Sequence, residues 1–558
     1  MRSRLFVLIA AAAAIAIAGF AVPASAQTKS PPALAGTVSS AEEGAMEGVV
    51  VSAKKGIVTV SVVSDDKGAF SFPASKLDAG DYALSIRAAG YDLQGPQSVT
   101  VAAGIAREDG RERPNAAEID VKLAKTKNLS AQLTNLEWML SVPGSDDQRR
   151  ALTGCTNCHS VERILNSTYT ADQFVDVMKR MATYSNNSFF KKPQIRQAPR
   201  ELDRFVPHAD RVAAYFASIN RSTGERKWDL KTMPRVSGAG THVIITEYDL
   251  PDPTIQPHDV MVDADGIVWH SDFSGQILGR FDPKTLAYKS FAVPMQREGW
   301  PTGALDLEVD PRGDLWLGLM FQAGAAKFDR KTQTFQMIQL PASLLKSDSQ
   351  QAMIGVQNWT VDNKVWLQDP SVPGIYRMNM TTGQTELYKT YDAMKGVAPY
   401  SIFSDNENNI WFLDFGVENI GKIDAKTGAV TLYPTPTKHS RPRRGRMDDQ
   451  GRIWFGEFAG ERIGMFDTKS EKFQEWEVPG RFFAPYDAMA DKNGNVWTAG
   501  MNADRVLRLD PKTGHFTQYP LPRYTNVRRV FVDNNTTPPT FWIGNNHGAA
   551  LIKLEPQD

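Results

Sequence analysis

Three hydrophobic periodicities follow one another along the chain. Between about residues 31 and 125, apolar and polar positions alternate over short runs, GVVVSAK, IVTVSVVSD, GAFSFPA, DYALSIRAAGY, VTVAAG and AEIDVKL, with turn residues between them. A period of two marks half-buried strands, and the succession predicts a small antiparallel β-sandwich. Between about 130 and 222 apolar residues recur three and four apart, as in ADQFVDVMKRM and ADRVAAYFASI, which predicts a small helical domain. Residues 223–240, polar and turn-rich, read as a linker.

From 241 to 558 the strand pattern becomes a repeat. DADGIVWHSDFSGQILGRFDPKT, DPRGDLWLGLMFQAGAAKFDRKT, DNENNIWFLDFGVENIGKIDAKT, DDQGRIWFGEFAGERIGMFDTKS and DKNGNVWTAGMNADRVLRLDPKT share one plan, and two looser copies complete it. The repeat tryptophans are Trp269, Trp316, Trp366, Trp411, Trp454, Trp497 and Trp542, separated by 43 to 50 residues. That length suits one four-stranded blade, so seven units predict a seven-bladed β-propeller. The last unit ends without its outer strand, whereas HVIITEYDLP precedes the first and is expected to close the ring by pairing with the seventh. The chain is therefore read as multidomain and mainly β.

Two resemblances follow. SDDKGAFSFPASKLDAGDYALSIRAAGY resembles the carboxypeptidase regulatory-like family, which implies a binding or spacer module over 31–125. The repeats resemble the virginiamycin B lyase (streptogramin lyase) family, whose units read much like WFTE, IGRID and YPLP in succession. That resemblance spans 241–558 and speaks to fold more than to activity.

Charge and the amino terminus narrow the setting. Basic and acidic residues balance at 63 each, which gives no field for nucleic acid or anionic membrane. Residues 1–26, with Arg2 and Arg4 before an apolar run and Ala24-Ser25-Ala26 at its end, read as a cleavable secretory signal. No other stretch has the ~20 apolar residues of a membrane span, so a soluble periplasmic protein is expected.

The only cysteines, Cys155 and Cys158, lie in CTNCH. In C-x-x-C-H two thiols add across the vinyl groups of haem and the adjacent His159 places an imidazole nitrogen on iron. A zinc site would need two further Cys or His ligands, and a redox dithiol would need βαβ units that are absent. The surroundings, GCTNCHSVERI followed by two helices, resemble the short c-type cytochrome domains, which places a haem domain at 130–222. The resemblance implies Met181, just after the middle helix, as sixth ligand; the alternatives are Met178, which also reads as core packing, His208, which also reads as a cap or surface residue, and water or another residue.

Aligning the repeats predicts the propeller mouth. Five residues before each repeat Asp stand His258, Leu305, Gln357, Tyr400, Arg443, Tyr486 and Arg528. Three residues after each Trp stand Asp272, Leu319, Asp369, Asp414, Glu457, Gly500 and Asn545. These positions vary and are mostly polar where scaffold positions repeat, which suits a ligand surface. His258, His270 and Asp272 of the first unit and His547 of the last are expected to converge as a metal or acid-base site, with magnesium a possible second cofactor. Arg443, Arg444, Arg446, Arg528 and Arg529, with Tyr400 and Tyr486, would line the opposite arc and hold an anionic or phenolic substrate.

In the lyase family a His at an inner-strand start and a Glu fourteen residues later act with magnesium in ring-opening elimination. Only the first unit keeps that spacing, as His258 and Asp272 with Asp for Glu; the fifth keeps Glu457 but has Arg443 in the His place. The expectation is a periplasmic redox protein whose propeller binds a small substrate or redox partner while haem c carries electrons. The alternatives are a magnesium-dependent lyase with an accessory haem domain and a non-catalytic binding module.

Overall fold

A computed structural model describes residues 32–557 except 103–104, 107–111, 114–116, 323, 347–348, 351–352, 371–373 and 391–395, and leaves aside the side chains at 105, 106, 112 and 113. The expected signal segment, 1–26, lies outside the described residues.

The alternating runs form two facing sheets. In one, Pro32–Ser40 pairs with Gly44–Ala45 and Ala69–Pro73 on one side and with Ala117–Lys125 on the other, which pairs in turn with Tyr91–Gln94. The facing sheet runs Val58–Val63, Val50–Lys55, Gly80–Arg87, Ser98–Val101. Leu34, Val38, Val51, Phe70, Phe72 and Val121 meet between them. The expected all-antiparallel sandwich needs one correction. Pro32–Ser40 and Ala117–Lys125 are parallel, Leu34 opposite Ala117 through Ser40 opposite Leu123, as follows when a chain crosses the opposing sheet before returning.

Six four-stranded antiparallel sheets follow, beginning with Pro257–Val262, Val268–Asp272, Ile277–Asp282 and Ala287–Ala292. The seventh blade consists of Val530–Asp533, Thr540–Asn545, Ala550–Pro556 and, as its outer strand, Val243–Asp249. Val243 lies opposite Pro556 and Asp249 opposite Ala550, so the ring closes as the orphan strand suggested. The other edge of Val243–Asp249 is not free. It pairs with Val58–Val63, Ile245 opposite Ser61, so one eight-stranded sheet runs from blade seven into the sandwich and protects that edge.

The repeated Asp and Trp act together. In five blades the indole Nε1 donates to the Asp carboxylate six residues earlier, at 2.8 Å for Trp269–Asp263 and 3.1 Å for Trp411–Asp405. The other carboxylate oxygen accepts backbone N–H groups of the hairpin turn, as Asp263 does from Asp265 and Ile267. One residue thus fastens both the turn and the strand after it.

The helical residues form α1 (Asn135–Ser141), α2 (Asp146–Arg150), α3 (Glu162–Leu165), α4 (Ala171–Ala182), α5 (Leu202–Phe205) and α6 (Ala209–Ile219). Thr170 caps α4, its hydroxyl accepting Gln173 N–H while Gln173 returns to the Thr170 N–H. Phe174 and Met178 on α4 pack with Ala213 and Phe216 on α6, and this core is continuous with Phe482, Phe483 and Leu507 of the propeller. No helix among the described residues is long and apolar enough to cross a membrane.

Candidate functional site

Four inner strands begin at the mouth with a register irregularity, as between Pro257 and Val260 and between Pro442 and Gly445, which breaks the strict alternation of a strand and lets consecutive side chains reach the channel at different depths. His258, Tyr400, Arg443, Tyr486 and Arg528 gather in the upper layer. The Tyr400 and Tyr486 hydroxyls are 2.9 Å apart, Tyr486 Oη is 3.3 Å from His258 Nε2, and His258 Nδ1 is 2.7 Å from Asp259 Oδ1. Burial pushes His258 down to about 4 despite Asp259, so the imidazole is neutral at pH 7. Nδ1–H then donates to Asp259, and Nε2 accepts from Tyr486. Burial works to raise Tyr486, but Arg443, Arg528 and Arg444 outweigh it and hold the hydroxyl below the ordinary phenol value; burial raises Tyr400.

The cations of this layer lack anions. Among the described residues no carboxylate lies within 4.0 Å of Arg443 or Arg528. The Arg443 guanidinium stands 3.9 Å from the Tyr486 ring centre, 4.5 Å from Phe458 and 4.6 Å from Phe415. The lower layer is the opposite. Arg444 Nη2 reaches Asp259 at 2.6 Å and Asp306 at 2.8 Å, Arg529 reaches both and Glu308, and Arg446 pairs with Asp487. The expected arc of five arginines therefore divides: Arg443 and Arg528 face the mouth, whereas Arg444, Arg446 and Arg529 are locked in ion pairs. Gln357 leaves the ring, its Oε1 accepting Ser404 N–H in the next blade.

The mouth is not an open channel, because the helical region lies across it. Arg528 Nη2 donates to Asn157 O at 3.0 Å, His547 Nε2 to the same oxygen at 3.1 Å, and Asn526 Nδ2 to Thr156 O at 3.0 Å. Thr156 Oγ1 reaches Asn502 Oδ1 at 2.9 Å. On the far side, the loop between α4 and α5 crosses blades one and two, with Asn187 and Gln194 bonded to Thr302 and Gln194 to Ser274. The CTNCH segment is thus clamped onto blades six and seven.

Within that segment Cys155 and Cys158 are free thiols, both half-buried. The Cys158 and His159 N–H groups both point to Cys155 O, at 3.3 and 3.4 Å, which keeps the three residues on one turn. His159 Nδ1–H donates to Ser160 O at 2.9 Å, leaving Nε2 available. Met178 is buried in the helical core; Met181, expected just after the middle helix, lies half-buried within the last turn of α4 because the helix continues to Ala182; and His208 is exposed where α6 begins, making no capping bond through its side chain.

The four residues expected to converge do not form one cluster, although His270 and Asp272 lie close enough for the carboxylate to act on the imidazole. His270 Nε2 meets Tyr288 Oη at 3.2 Å and its ring lies over Gly279, where a Cβ would come within 1.9 Å of Nε2. Phe412 over Gly421 and Phe455 over Gly464 hold the same place in their blades. His270 is therefore a packing residue at a scaffold position. His547 is sandwiched between Phe189 and Tyr524 and serves the clamp on Asn157. Asp272 Oδ1 accepts from Gln256 N–H and Ser274 N–H, both at 3.0 Å, and Asp414 Oδ1 does the same for Ala398 and Gly416. In these two blades the third position after the Trp thus fastens a turn instead of facing a ligand, whereas Glu457, at the same position, is buried and makes no such bond. Among the described residues no three His, Cys, Asp or Glu side chains gather as a metal site, so the donors for magnesium do not fit an ion.

What faces the mouth is the fourth position after the Trp. Phe273 packs on His258, Phe415 and Phe458 surround Arg443, and Met501 Sδ meets Arg443 Nη1 at 3.9 Å. This apolar ring recurs in the sequence and was readable there. Asp259, which orients His258, stands one residue after the mouth position, where Asp306, Arg444, Asp487 and Arg529 stand in other units, so this charged ring was readable as well.

The fold and site define a seven-bladed propeller with a helical cap. Residues 288–499 match the virginiamycin B lyase family and residues 33–109 match the carboxypeptidase regulatory-like domain; neither match covers 130–222. No curated protein matches. A streptogramin B lyase structure is 22% identical, covering 57% of this chain and 99% of its own, with a TM-score of 0.49. The virginiamycin B lyase of Staphylococcus aureus is 20% identical over 56% and 99%, at 0.48. The extracellular domain of a putative one component system from B. thetaiotaomicron is 20% identical over 54% and 41%, at 0.42.

Proposed function

We propose that this chain is an exported redox protein in which a covalently held haem c works beside a substrate site at the propeller mouth. The observation that carries the reading is the clamp: Asn157, inside CTNCH, is held by Arg528 and His547 of the mouth itself. The donor set suits the group, since both thiols are free on one turn and His159 Nε2 is left open by the Nδ1–Ser160 bond that orients ligating imidazoles. Cys155 and Cys158 would hold haem, His159 would bind its iron and Met181 would be the sixth ligand. When bound, haem supplies one-electron transfer.

The chain's own residues do the rest. Arg443 and Arg528 offer buried positive charge to a small substrate. Tyr486 Oη is the atom at which a proton is passed, through His258 Nε2 toward Asp259, whose ionised form Arg444 and Arg529 secure. The cap keeps bulk water from this chain of bonds, where a fixed path is worth more than in solvent.

Mature protein should stay coloured after acid-acetone extraction and give a c-type haemochrome spectrum, and Cys155→Ala should lose the attachment. Met181→Ala should lose the weak sulfur-to-iron band of the oxidised form and lower the potential. Haem reduction by a panel of small periplasmic metabolites should depend on Tyr486 and Arg443. Haem lost on extraction overturns the reading. Haem retained but indifferent to every mouth variant would favour a non-catalytic binding module. The lyase alternative is weakened by Asp272, whose Oδ1 is engaged by two backbone N–H groups; magnesium-dependent turnover of a cyclic ester that survives Cys155→Ala would restore it.

A further inference from the structure

We propose that the cavity at the seam between the CTNCH segment and blades four to six is a binding site for a small aromatic carboxylate, with Arg443 as its anion anchor. This names the substrate class of the mouth site and so rests on the reading above. The cavity measures about 270 Å³ and is lined by Thr153, Gly154 and Asn157 from the cap and by Phe415, Arg443 and Phe458 among others from the propeller. At ~30 Å³ per water it holds about nine waters, room for one ring bearing a carboxylate.

Arg443 is only 7% exposed, its Nε has no hydrogen-bond partner, and the one contact of its Nη1 is the weak acceptor Met501 Sδ. A buried guanidinium without a counterion is costly, and the rings of Tyr486, Phe458 and Phe415 recover only part of what water supplied. Arg444, the next residue, shows what this fold does when it settles such a charge: two carboxylates meet it. Arg443 instead lines the cavity with a guanidinium fork that no carboxylate among the described residues meets. A planar carboxylate satisfies that fork with two parallel bonds. Arg150, Arg441, Glu461 and Asn502 also line the cavity, but Phe415, Phe458, Phe482, Ala484 and Met501 make a continuous apolar wall, which favours an anion that carries an apolar body. Flat aromatic walls favour a ring. Inorganic phosphate would satisfy the charge and leave those walls wet.

The test uses the purified full-length holoprotein and calorimetric titration with 4-hydroxybenzoate, 4-hydroxybenzyl alcohol, acetate and inorganic phosphate. 4-Hydroxybenzoate, called benzoate below, should bind at least tenfold more tightly than each of the others. Arg443→Met should abolish that preference and, unlike a change at a merely structural arginine, should raise the melting temperature of the ligand-free protein. Arg443→Lys, which keeps the charge without the planar fork, should retain binding weakened about tenfold and serves if the methionine variant fails to fold. Equal binding of phosphate and benzoate, or benzoate affinity unchanged in both variants, overturns the proposal. The readout needs no electron transfer. Mature protein that binds 4-hydroxybenzoate but proves to carry no covalent haem would sink only the redox reading, whereas haem reduction without carboxylate binding would sink only this one.

Discussion

Arg443 and Arg444 are neighbours of one residue type on one inner strand, yet they occupy opposite electrostatic worlds. Arg444 sits in the lower layer, where Asp259, Asp306 and Arg529 close a buried network. Arg443 sits one residue higher among rings, with no carboxylate among the described residues within 4.0 Å. The lower layer plugs the propeller and is built for the folded chain alone. The upper layer is left unfinished beneath the cap, which is what a site awaiting a ligand requires.

The comparison breaks most readily at Arg444. Arg444→Met should cost about 3–5 kcal/mol, because it strands buried carboxylates, read as a lowered denaturant midpoint at unchanged slope. Arg443→Met should stabilise the ligand-free protein. Equal losses would erase the distinction between the layers.

Next in size is a pH effect at Glu457, a buried carboxyl with no cation bonded to it. Burial, with Glu475 close by, pushes it up to about 9, whereas Arg444 and Arg529 outweigh burial and hold Asp259 well below the usual range. From about pH 4.5 to 9 the folded protein then carries one more proton at Glu457 than the unfolded chain, so this group's share of stability falls as pH rises through that window. Asp259 contributes in the other sense, losing its share only in acid. Glu457→Gln should flatten the decline of melting temperature between pH 5 and 9 and raise the value at pH 9. A slope that persists in the variant would assign it to another group.

Tyr486→Phe should cost about 1–3 kcal/mol, since His258 Nε2 and the Tyr400 hydroxyl lose their shared partner. Substrate-dependent haem reduction should fall with it while the haem spectrum stays. The smallest effect tests the scaffold. Trp411→Phe should cost about 1 kcal/mol more than Trp542→Phe in thermal unfolding, because Trp411 donates to Asp405 and Trp542 Nε1 has no partner among the described residues.

Much of the architecture was legible. ADQFVDVMKRM became α4, ADRVAAYFASI became α6, and the orphan strand HVIITEYDLP closes the ring. The mouth ring was legible in part: His258, Tyr400, Arg443, Tyr486 and Arg528 do meet. The second ring was misplaced by one residue, because in the first and fourth units the third position after the Trp is drawn back to fasten the turn and the fourth turns outward, as Asp272 and Phe273 show. His270 misled for a related reason, since imidazole fills the place that phenylalanine takes in two other blades and only the glycine opposite reveals its role.

The sequence by itself determined what depends on local period and spacing: strand and helix type, the Asp–Trp fastening in each blade, the seven units and the C-x-x-C-H turn. Tertiary structure alone decided which charges are paired, that Val58–Val63 extends blade seven, and that CTNCH lies over the mouth. Those contacts join residues hundreds of positions apart, as Asn157 and Arg528 are. A period of two says which neighbours share a face. It carries no information about which distant face is brought against it.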